Sequence, residues 1–179
     1  MKTDKIQPTW ENSIGLDAVL DKDIYLATSE GKKLPSLKPL RTNKKQLTKV
    51  SQRKNKRKHG SKNRLKLAKR ESKVHQKIAR SRKDFQYKKA HKLTRTGKKI
   101  FFIEKLNLAG LTGINKAKQD ENGKYLPNGQ SSKSGLNKSW LDAATYQFLE
   151  VLGHVAAKAN VSVVEVKPNY TSQLLCYRD

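Results

Sequence analysis

One short stretch decides the fold of this chain: Lys98-Lys99-Ile100-Phe101-Phe102-Ile103-Glu104-Lys105-Leu106. Its four bulky apolar residues follow Gly97, and such a run predicts a short buried strand. Glu104 stands where that strand would leave the sheet. A carboxylate at this point is either a solvated loop residue or a metal ligand at the rim of an α/β domain. A second carboxylate near the start of the chain favours the metal ligand.

That second carboxylate is Asp17, which interrupts the apolar run from residue 13 to residue 20. An acid inside such a run is costly to bury unless it is paired or binds a metal. Two further short apolar runs, at residues 24–28 and 33–34, follow stretches of turn-forming composition. Three short strands joined by tight turns predict an antiparallel meander.

Length and composition limit the class of protein. The 179 residues suit one domain, and an apolar content of 35% predicts a modest core. A single cysteine excludes a disulfide framework and a multi-thiolate zinc site within this chain. No run resembles a signal peptide or approaches the roughly 20 apolar residues of a membrane span. We therefore expect a cytoplasmic protein without a membrane partner.

The positive charge is concentrated in one segment. The net charge is +25, and residues 38–99 hold 26 of the 40 Lys and Arg residues but two of the 15 acids. A charge run is often a solvated face or a disordered tail. Here the self-repulsion would be strong, which favours a polyanionic partner, DNA or RNA.

The same segment is helical in its pattern. A first helical arm begins near Leu40, Gly60 marks a turn, and Gly97 marks the end of a long second arm. The second arm has one narrow apolar stripe, formed by Leu67, Val74, Ile78 and Phe85. The pattern predicts a basic helical hairpin that contacts phosphates, with little base stacking because Phe85 and Tyr87 are its only aromatic residues. The residues expected to bind nucleic acid are Lys56, Arg57, Lys58, Lys62, Arg64, Lys66, Lys69, Arg70, Lys73, Lys77, Arg80 and Arg82.

The rest of the chain contains a loop, a helix and a strand. Residues 113–135 are rich in Gly, Asn, Ser and Lys, which is typical of a lid, a binding loop or a disordered segment. Ser139 is predicted to cap a helix, with Asp142 in the capping box rather than in a catalytic role. The apolar face of this helix would comprise Leu141, Ala144, Phe148, Val151, Leu152 and Val155. Residues 161–166 predict another buried strand.

These elements predict an α/β fold with a mixed sheet of the ribonuclease-H type. Residues 1–37 would supply its first three strands, residues 38–97 a basic helical hairpin insertion, and residues 98–179 the remainder, with a flexible loop at 113–135. The first and fourth strands lie side by side in that architecture, which would bring Asp17 and Glu104 together. Two carboxylates there can hold Mg²⁺ for phosphodiester hydrolysis.

Four segments in order resemble the OrfB/TnpB proteins of bacterial insertion sequences, which are often described as transposases. They are Gly15-Leu16-Asp17, the Gly60-Ser61 turn, Phe101-Phe102-Ile103-Glu104-Lys105-Leu106 and Pro168-Asn169-Tyr170-Thr171-Ser172-Gln173. The resemblance implies a RuvC-like, RNA-guided, Mg²⁺-dependent DNA endonuclease core, working in the nucleoid with DNA and a guide RNA. It also implies that Asp17 and Glu104 are the first and second catalytic carboxylates and metal ligands.

The chain departs from the family pattern at several points. Val19 stands where the family usually has glycine, and only Cys176 follows the Tyr-Thr-Ser-Gln segment, where the family has a zinc ribbon. The third carboxylate, the closing helix and the N-terminal recognition domain have no counterpart. We therefore expect a RuvC-like core trimmed at both ends, weakly active or inactive, and without zinc.

Two other hypotheses remain open. A structural RNA-binding protein of ribosomal type would also carry a charge near +25, although such a scaffold has no need of acid-bearing apolar strands. The second hypothesis is that the chain is a fragment, and that a partner chain supplies the missing segments.

Overall fold

The computed structural model describes residues 7–19, 24–105, 107, 110 and 112–167. Several sequence features fall outside these residues: the turn at 21–23, Leu106, the Pro168–Gln173 segment and Cys176. The described residues form a mixed α/β structure with a five-stranded sheet.

Three strands open the sheet as an antiparallel meander, as predicted. They are β1 (Ser13–Ala18), β2 (Ile24–Thr28) and β3 (Lys33–Pro35). β1 pairs antiparallel with β2, and β2 pairs antiparallel with β3. The register shifts between Ile24 and Leu26, and Tyr25 and Leu26 are both buried although they are consecutive. Such a bulge allows β2 to place two adjacent side chains in the core.

A helical hairpin leaves the sheet after β3, also as predicted. Helix α1 (Pro39–Asn55) has proline at its first turn, where a missing N–H costs nothing. Helix α2 (Lys62–Thr94) begins after Ser61, whose hydroxyl accepts a hydrogen bond from the Arg64 N–H. Gly60 and Gly97 adopt positive φ angles of 76° and 84°, so the two predicted breaks lie at residues that tolerate this conformation.

The chain returns to the sheet in β4 (Ile100–Glu104), which pairs parallel with β1. Beyond it lie the short hairpin β5 (Lys118–Gln119) and β6 (Tyr125–Leu126), then helix α3 (Gln130–Ala143), helix α4 (Thr145–Lys158) and β7 (Ser162–Val166). β7 pairs parallel with β4 and completes the strand order β3-β2-β1-β4-β7.

The core lies on one face of this sheet. Ile14, Leu16, Phe101 and Ile103 point into it from the two central strands. Helix α4 covers them with Phe148, Val151, Leu152 and Val155, and the end of α2 adds Ala90 and Leu93. The Tyr25 ring makes edge-to-face contacts with Phe85 and Phe148, at centroid distances of 5.4 Å in both cases. This ring therefore joins the sheet, the hairpin and α4.

Three sequence predictions need correction in this region. The helix predicted from Ser139 begins at Gln130, so the predicted loop at 113–135 contains the β5–β6 hairpin and the first turns of α3. Ala144, at φ 50° and ψ 47°, breaks the expected single helix into α3 and α4. Leu141 consequently lies on the surface, with 66% of its area exposed, instead of on the apolar face.

The strand predicted at residues 161–166 is present as β7, but the prediction that it is buried is wrong. β7 has no buried residue, and Val164 is 40% exposed. The physical reason is position: β7 pairs with β4 at one edge of the sheet, where fewer neighbours cover it. Among the described residues, no helix combines the length and apolarity needed to cross a bilayer.

Candidate nucleic-acid interface and carboxylate site

Helix α2 places most of its predicted nucleic-acid contacts in one stripe. Its buried side chains, Val74 and Ile78, define an inner face. At 100° per residue, five basic residues lie on the opposite side of the helix, and a sixth, Lys77, lies on the flank beside them. All six are exposed: Lys62, Lys66, Lys69, Lys73, Lys77 and Arg80. From Lys62 to Arg80 this outer stripe is about 27 Å long.

The turn between the helices adds a second group of exposed bases. Lys56, Arg57 and Lys58 precede Gly60 and are exposed, and Arg70 is exposed beside the outer stripe. Ten of the twelve predicted contact residues therefore face solvent. Cations that repel one another at this density form a surface suited to the phosphates of a nucleic acid.

Arg64 and Arg82, the other two predicted contact residues, have partners within the protein. The Arg64 guanidinium donates to the carbonyl oxygens of Lys54 and Arg57, at 3.4 and 3.2 Å. It thereby ties the start of α2 to the end of α1. The Arg82 guanidinium donates to the carbonyl oxygen of Asp142 at 3.2 Å and lies 3.5 Å from its carboxylate. Arg64 therefore has a structural role near the turn of the hairpin, and Arg82 has one near its base.

One ion pair inside the hairpin holds its two helices together. The Lys54 ammonium binds the Glu71 carboxylate, and both side chains are mostly buried. The hydrogen bond from Lys54 lowers the pKa of Glu71 below its ordinary value, against the opposing effect of burial. The one acid that faces α1 from the middle of α2 is thus used to fix the hairpin.

The two candidate catalytic carboxylates occupy matching positions on neighbouring strands. In the parallel ladder of β1 and β4, Leu16 pairs with Ile103. Asp17 and Glu104 are the next residues on their strands, so their backbones lie at the same level. Leu16 and Ile103 both point into the core. Because side chains alternate along a strand, Asp17 and Glu104 point to the opposite face.

The surroundings of the two carboxylates differ. Asp17 is exposed and Glu104 is half-buried. Glu104 is the last residue of β4, and it also borders a cavity of about 530 Å³ on the core side of the sheet, beside α4, together with Glu150 and Glu165. The Glu165 carboxylate lies 4.0 Å from the Lys105 ammonium. Glu150 and Glu165 are not among the candidate residues predicted from the sequence. No sequence signal joins them to Glu104, because the three residues come from different elements.

The sheet face that carries Asp17 is accessible from solvent. Ser13, Gly15 and Phe102 on this face line a groove of about 370 Å³, and Trp10, which is 79% exposed, lies at its rim. The groove does not include the carboxylates, but Gly15 and Phe102 stand two residues before Asp17 and Glu104 on the same strands and the same face.

The charges of Asp17 and Glu104 together would balance one divalent ion rather than two. Mg²⁺ in proteins is commonly held by one or two carboxylates, with water and substrate oxygens completing its octahedron. Two carboxylates balance the charge of one such ion and leave a second largely uncompensated. Within the described part of the chain, no group of three His, Cys, Asp or Glu residues is arranged to hold a metal.

Asp142 caps a helix, but a different helix from the one predicted. Its carboxylate accepts hydrogen bonds from the backbone N–H groups of Leu40 and Arg41, at 3.0 and 3.1 Å, which lie in the first turn of α1. Ser139 lies inside α3 and accepts a hydrogen bond from the Arg41 guanidinium. Asp142 is 1% exposed and therefore has no access to a substrate.

Comparison with known proteins points to one family. Residues 1–115, well over half of the chain, match the family model OrfB_IS605, described as a probable transposase. The matched range contains the outer stripe of α2, Asp17 and Glu104. No curated protein matches the chain.

Proposed function

Because this chain belongs to the OrfB_IS605 family of probable transposases, we propose that it is a nucleic-acid-binding protein of an insertion sequence. Its hairpin would contact phosphates of DNA or of a guide RNA. Its sheet would be of the ribonuclease-H/RuvC type, related to Mg²⁺-dependent RNA-guided DNA endonucleases, with weak cleavage activity or none.

The observation that carries this proposal is the outer stripe of α2. Six exposed cations lie over about 27 Å along the solvent side of one helix, and the exposed bases of the turn extend the same surface. Surface cations of a soluble protein usually alternate with acids. Here two acids accompany 26 bases, and one of them, Glu71, is paired inside the hairpin. A surface of this kind favours contact with a phosphate backbone, without reading its sequence.

The sheet topology supports the finer assignment. The strand order β3-β2-β1-β4-β7 puts the first and fourth strands side by side, as a ribonuclease-H-type sheet requires. In the register of β1 and β4, Asp17 and Glu104 lie side by side on neighbouring strands, and this supports the proposal of a shared ion. When bound between them, Mg²⁺ would supply Lewis-acid polarisation of a phosphoryl oxygen.

The residues themselves would have two roles. Asp17 and Glu104 would hold the ion through their carboxylates and so fix the point of cleavage on the open sheet face. The outer stripe would hold the substrate backbone. Since two carboxylates neutralise one divalent ion, a second ion would bind weakly, and we expect a rate lower by about 10³-fold or more than with a complete two-metal site.

A cleavage assay tests the enzymatic part of this proposal. Purified protein is incubated with single-stranded and duplex DNA in Mg²⁺, with Asp17→Ala and Glu104→Ala as controls. We expect binding with slow cleavage or none, and any cleavage should disappear in both variants. Rapid cleavage that both substitutions abolish would show that two carboxylates suffice. Cleavage that neither substitution affects would remove the two carboxylates from the proposal.

A ribosomal-type RNA-binding scaffold is the second candidate. The positive charge of the hairpin supports this function as well as the first. The two candidates differ in their dependence on Asp17 and Glu104. A scaffold would bind structured RNA far more tightly than DNA, and neither carboxylate would affect any Mg²⁺-dependent property.

A further inference from the structure

The last third of α2 carries an aromatic patch that differs from the outer stripe. Side chains four residues apart form adjacent rows on a helix. One row holds Lys83, Tyr87, His91 and, just past the helix, Arg95; the next holds Asp84, Lys88 and Lys92. Between the rows lies a shallow depression of about 490 Å³, lined by Asp84, Tyr87, Lys88, His91, Lys92 and Arg95.

Tyr87 presents its ring to solvent in this depression. It is 36% exposed, and the His91 ring lies 6.5 Å away, tilted by 34°. The Lys83 ammonium lies 5.9 Å from the centre of the Tyr87 ring. Phe85, the other aromatic residue of the hairpin, is turned inward against Tyr25. Tyr87 is therefore the aromatic ring of α2 that an external ligand can reach.

The charges around Tyr87 select an anionic ligand. The Lys83 ammonium lies beside the ring, and the other cations of the depression are Lys88, Lys92 and Arg95. The single acid of the depression, Asp84, is paired with Lys88 at 2.8 Å. A duplex offers phosphates to these cations but hides the faces of its bases in the stack. A single strand offers phosphates and unpaired bases together, and stacking on an aromatic ring between cations is a general mode of binding single strands.

We propose that this patch binds an unpaired nucleobase of a single strand, with the base on the Tyr87 ring and its flanking phosphates on Lys88, Lys92 and Arg95. The inference rests on the proposed function of the hairpin and adds a second mode of contact to it. The outer stripe would bind backbone of either kind, whereas the patch would distinguish single strands from duplexes.

Binding measurements on single strands and duplexes test this inference. The probes are 12-nucleotide oligothymidine, oligouridine of the same length and a 12-base-pair DNA duplex, each labelled and followed by fluorescence anisotropy. We expect Tyr87→Ala to weaken single-strand binding by at least about fivefold and to leave duplex binding within twofold. Tyr87→Phe should retain binding because the ring is kept.

Two further variants make the test specific. Tyr87→Leu keeps an apolar helix former but no π face, and should resemble Tyr87→Ala. Tyr125→Ala removes another exposed tyrosine, in the β5–β6 hairpin, and should leave all affinities unchanged. Circular dichroism of each variant reports whether α2 is intact. The two single-stranded probes show whether the patch prefers DNA or RNA.

The outcomes separate this inference from the proposed function. If the wild type binds the duplex and Tyr87→Ala binds single strands as tightly as the wild type, only the stacking site is wrong. If Tyr87→Ala weakens the binding of single strands and of duplexes equally, the contribution of the ring does not depend on an unpaired base. The inference is then likewise overturned. If the wild type binds none of the probes, the proposed function fails with it.

Discussion

The carboxylate of Asp142 accepts a hydrogen bond from the backbone N–H of Leu40 at 3.0 Å, so a residue at the end of α3 caps the start of α1. The same side chain accepts from the N–H of Arg41 and lies against the guanidinium of Arg82 on α2. One buried acid thus fixes the base of both arms of the hairpin to the rest of the protein. The direction in which the outer stripe projects depends on this contact.

Removing the Asp142 cap should destabilise the protein strongly. Asp142→Ala leaves two helix N–H groups without their acceptor and removes the carboxylate beside the largely buried Arg82 guanidinium, which keeps its hydrogen bond to the backbone carbonyl of residue 142. We expect a loss of about 3 kcal/mol in the free energy of unfolding. Asp142→Asn keeps one acceptor oxygen and should lose less. Urea denaturation measures both.

The matched control is Asp84→Ala, which removes an acid of α2 whose ion pair with Lys88 is exposed. It should change the free energy of unfolding by less than about 0.5 kcal/mol. A loss for Asp142→Ala no larger than this would contradict the role assigned to the cap.

Replacing Ala144 with glycine should stabilise the folded protein. Its φ of 50° and ψ of 47° lie in the left-handed region, which costs an L-residue with a Cβ about 1–2 kcal/mol. The fully buried Gln86 donates a hydrogen bond to the Ala144 carbonyl oxygen at 3.1 Å and holds this conformation in place. Because glycine also has greater freedom in the unfolded chain, we expect Ala144→Gly to gain about 0.5 kcal/mol.

The control is the same substitution inside a regular helix. Ala90 is fully buried in α2, and Ala90→Gly should lose about 1 kcal/mol. Thermal unfolding compares the signs of the two effects. A lower melting temperature for Ala144→Gly would show that the break between α3 and α4 is not strained.

The Lys54–Glu71 pair should make stability depend on pH. Hydrogen bonding from Lys54 lowers the pKa of Glu71 in the folded protein, so the folded state favours the ionised carboxylate. The stabilisation is therefore present above the ordinary glutamate pKa of about 4.3, and it disappears as the pH falls through the lower folded value. Glu71→Gln should be less stable than the wild type by about 1 kcal/mol at pH 7 and equally stable at the acidic end. A difference that does not change with pH would contradict this assignment.

Divalent ions should stabilise the folded protein through Asp17 and Glu104. At a Mg²⁺ concentration ten times the dissociation constant, binding contributes about 1.4 kcal/mol, or a rise of roughly 3–5 °C in melting temperature. Asp17→Asn and Glu104→Gln should each abolish this rise without lowering the melting temperature in the absence of metal, since each removes a neighbouring like charge. Glu165→Gln, near Glu104 on the other face, should respond as the wild type does. Loss of the rise only in Glu165→Gln would move the metal to the cavity beside α4.

Local sequence signals predicted the parts of the fold that depend on neighbours in the chain. The continuous apolar run Ile100–Ile103 predicted a buried strand, and three of its four residues are buried. Gly60 and Gly97 stand where the backbone needs positive φ. Their positions could be predicted because each signal and its cause lie within a few residues. The same holds for the apolar stripe of α2, whose Val74 and Ile78 are buried.

The wrong predictions depended on contacts between distant segments. A capping residue in the sequence indicates a helix start nearby, but Asp142 caps a helix about one hundred residues earlier. Alanine normally extends a helix, and at Ala144 the bond from Gln86 accompanies a left-handed conformation instead. Val164 belongs to an apolar run that is typical of a core strand, but this run forms an edge strand. For the candidate site, sequence indicated Asp17, Glu104 and the basic surface, whereas only the structure distinguishes the ten exposed bases from Arg64 and Arg82.

The salt dependence of duplex DNA binding tests the central claim most directly. If six to ten of the exposed bases meet phosphates, the logarithm of the binding constant should fall against the logarithm of the salt concentration with a slope of about −5 to −9. Reversing Lys66, Lys73 and Lys77 to glutamate should reduce the magnitude of this slope by about three. Reversing Lys116, Lys118 and Lys124, which are exposed in and beside the β5–β6 hairpin, changes the net charge equally and should leave the slope nearly unchanged. A flat salt dependence, or equal effects of the two triple variants, would contradict the assignment of nucleic-acid binding to the outer stripe.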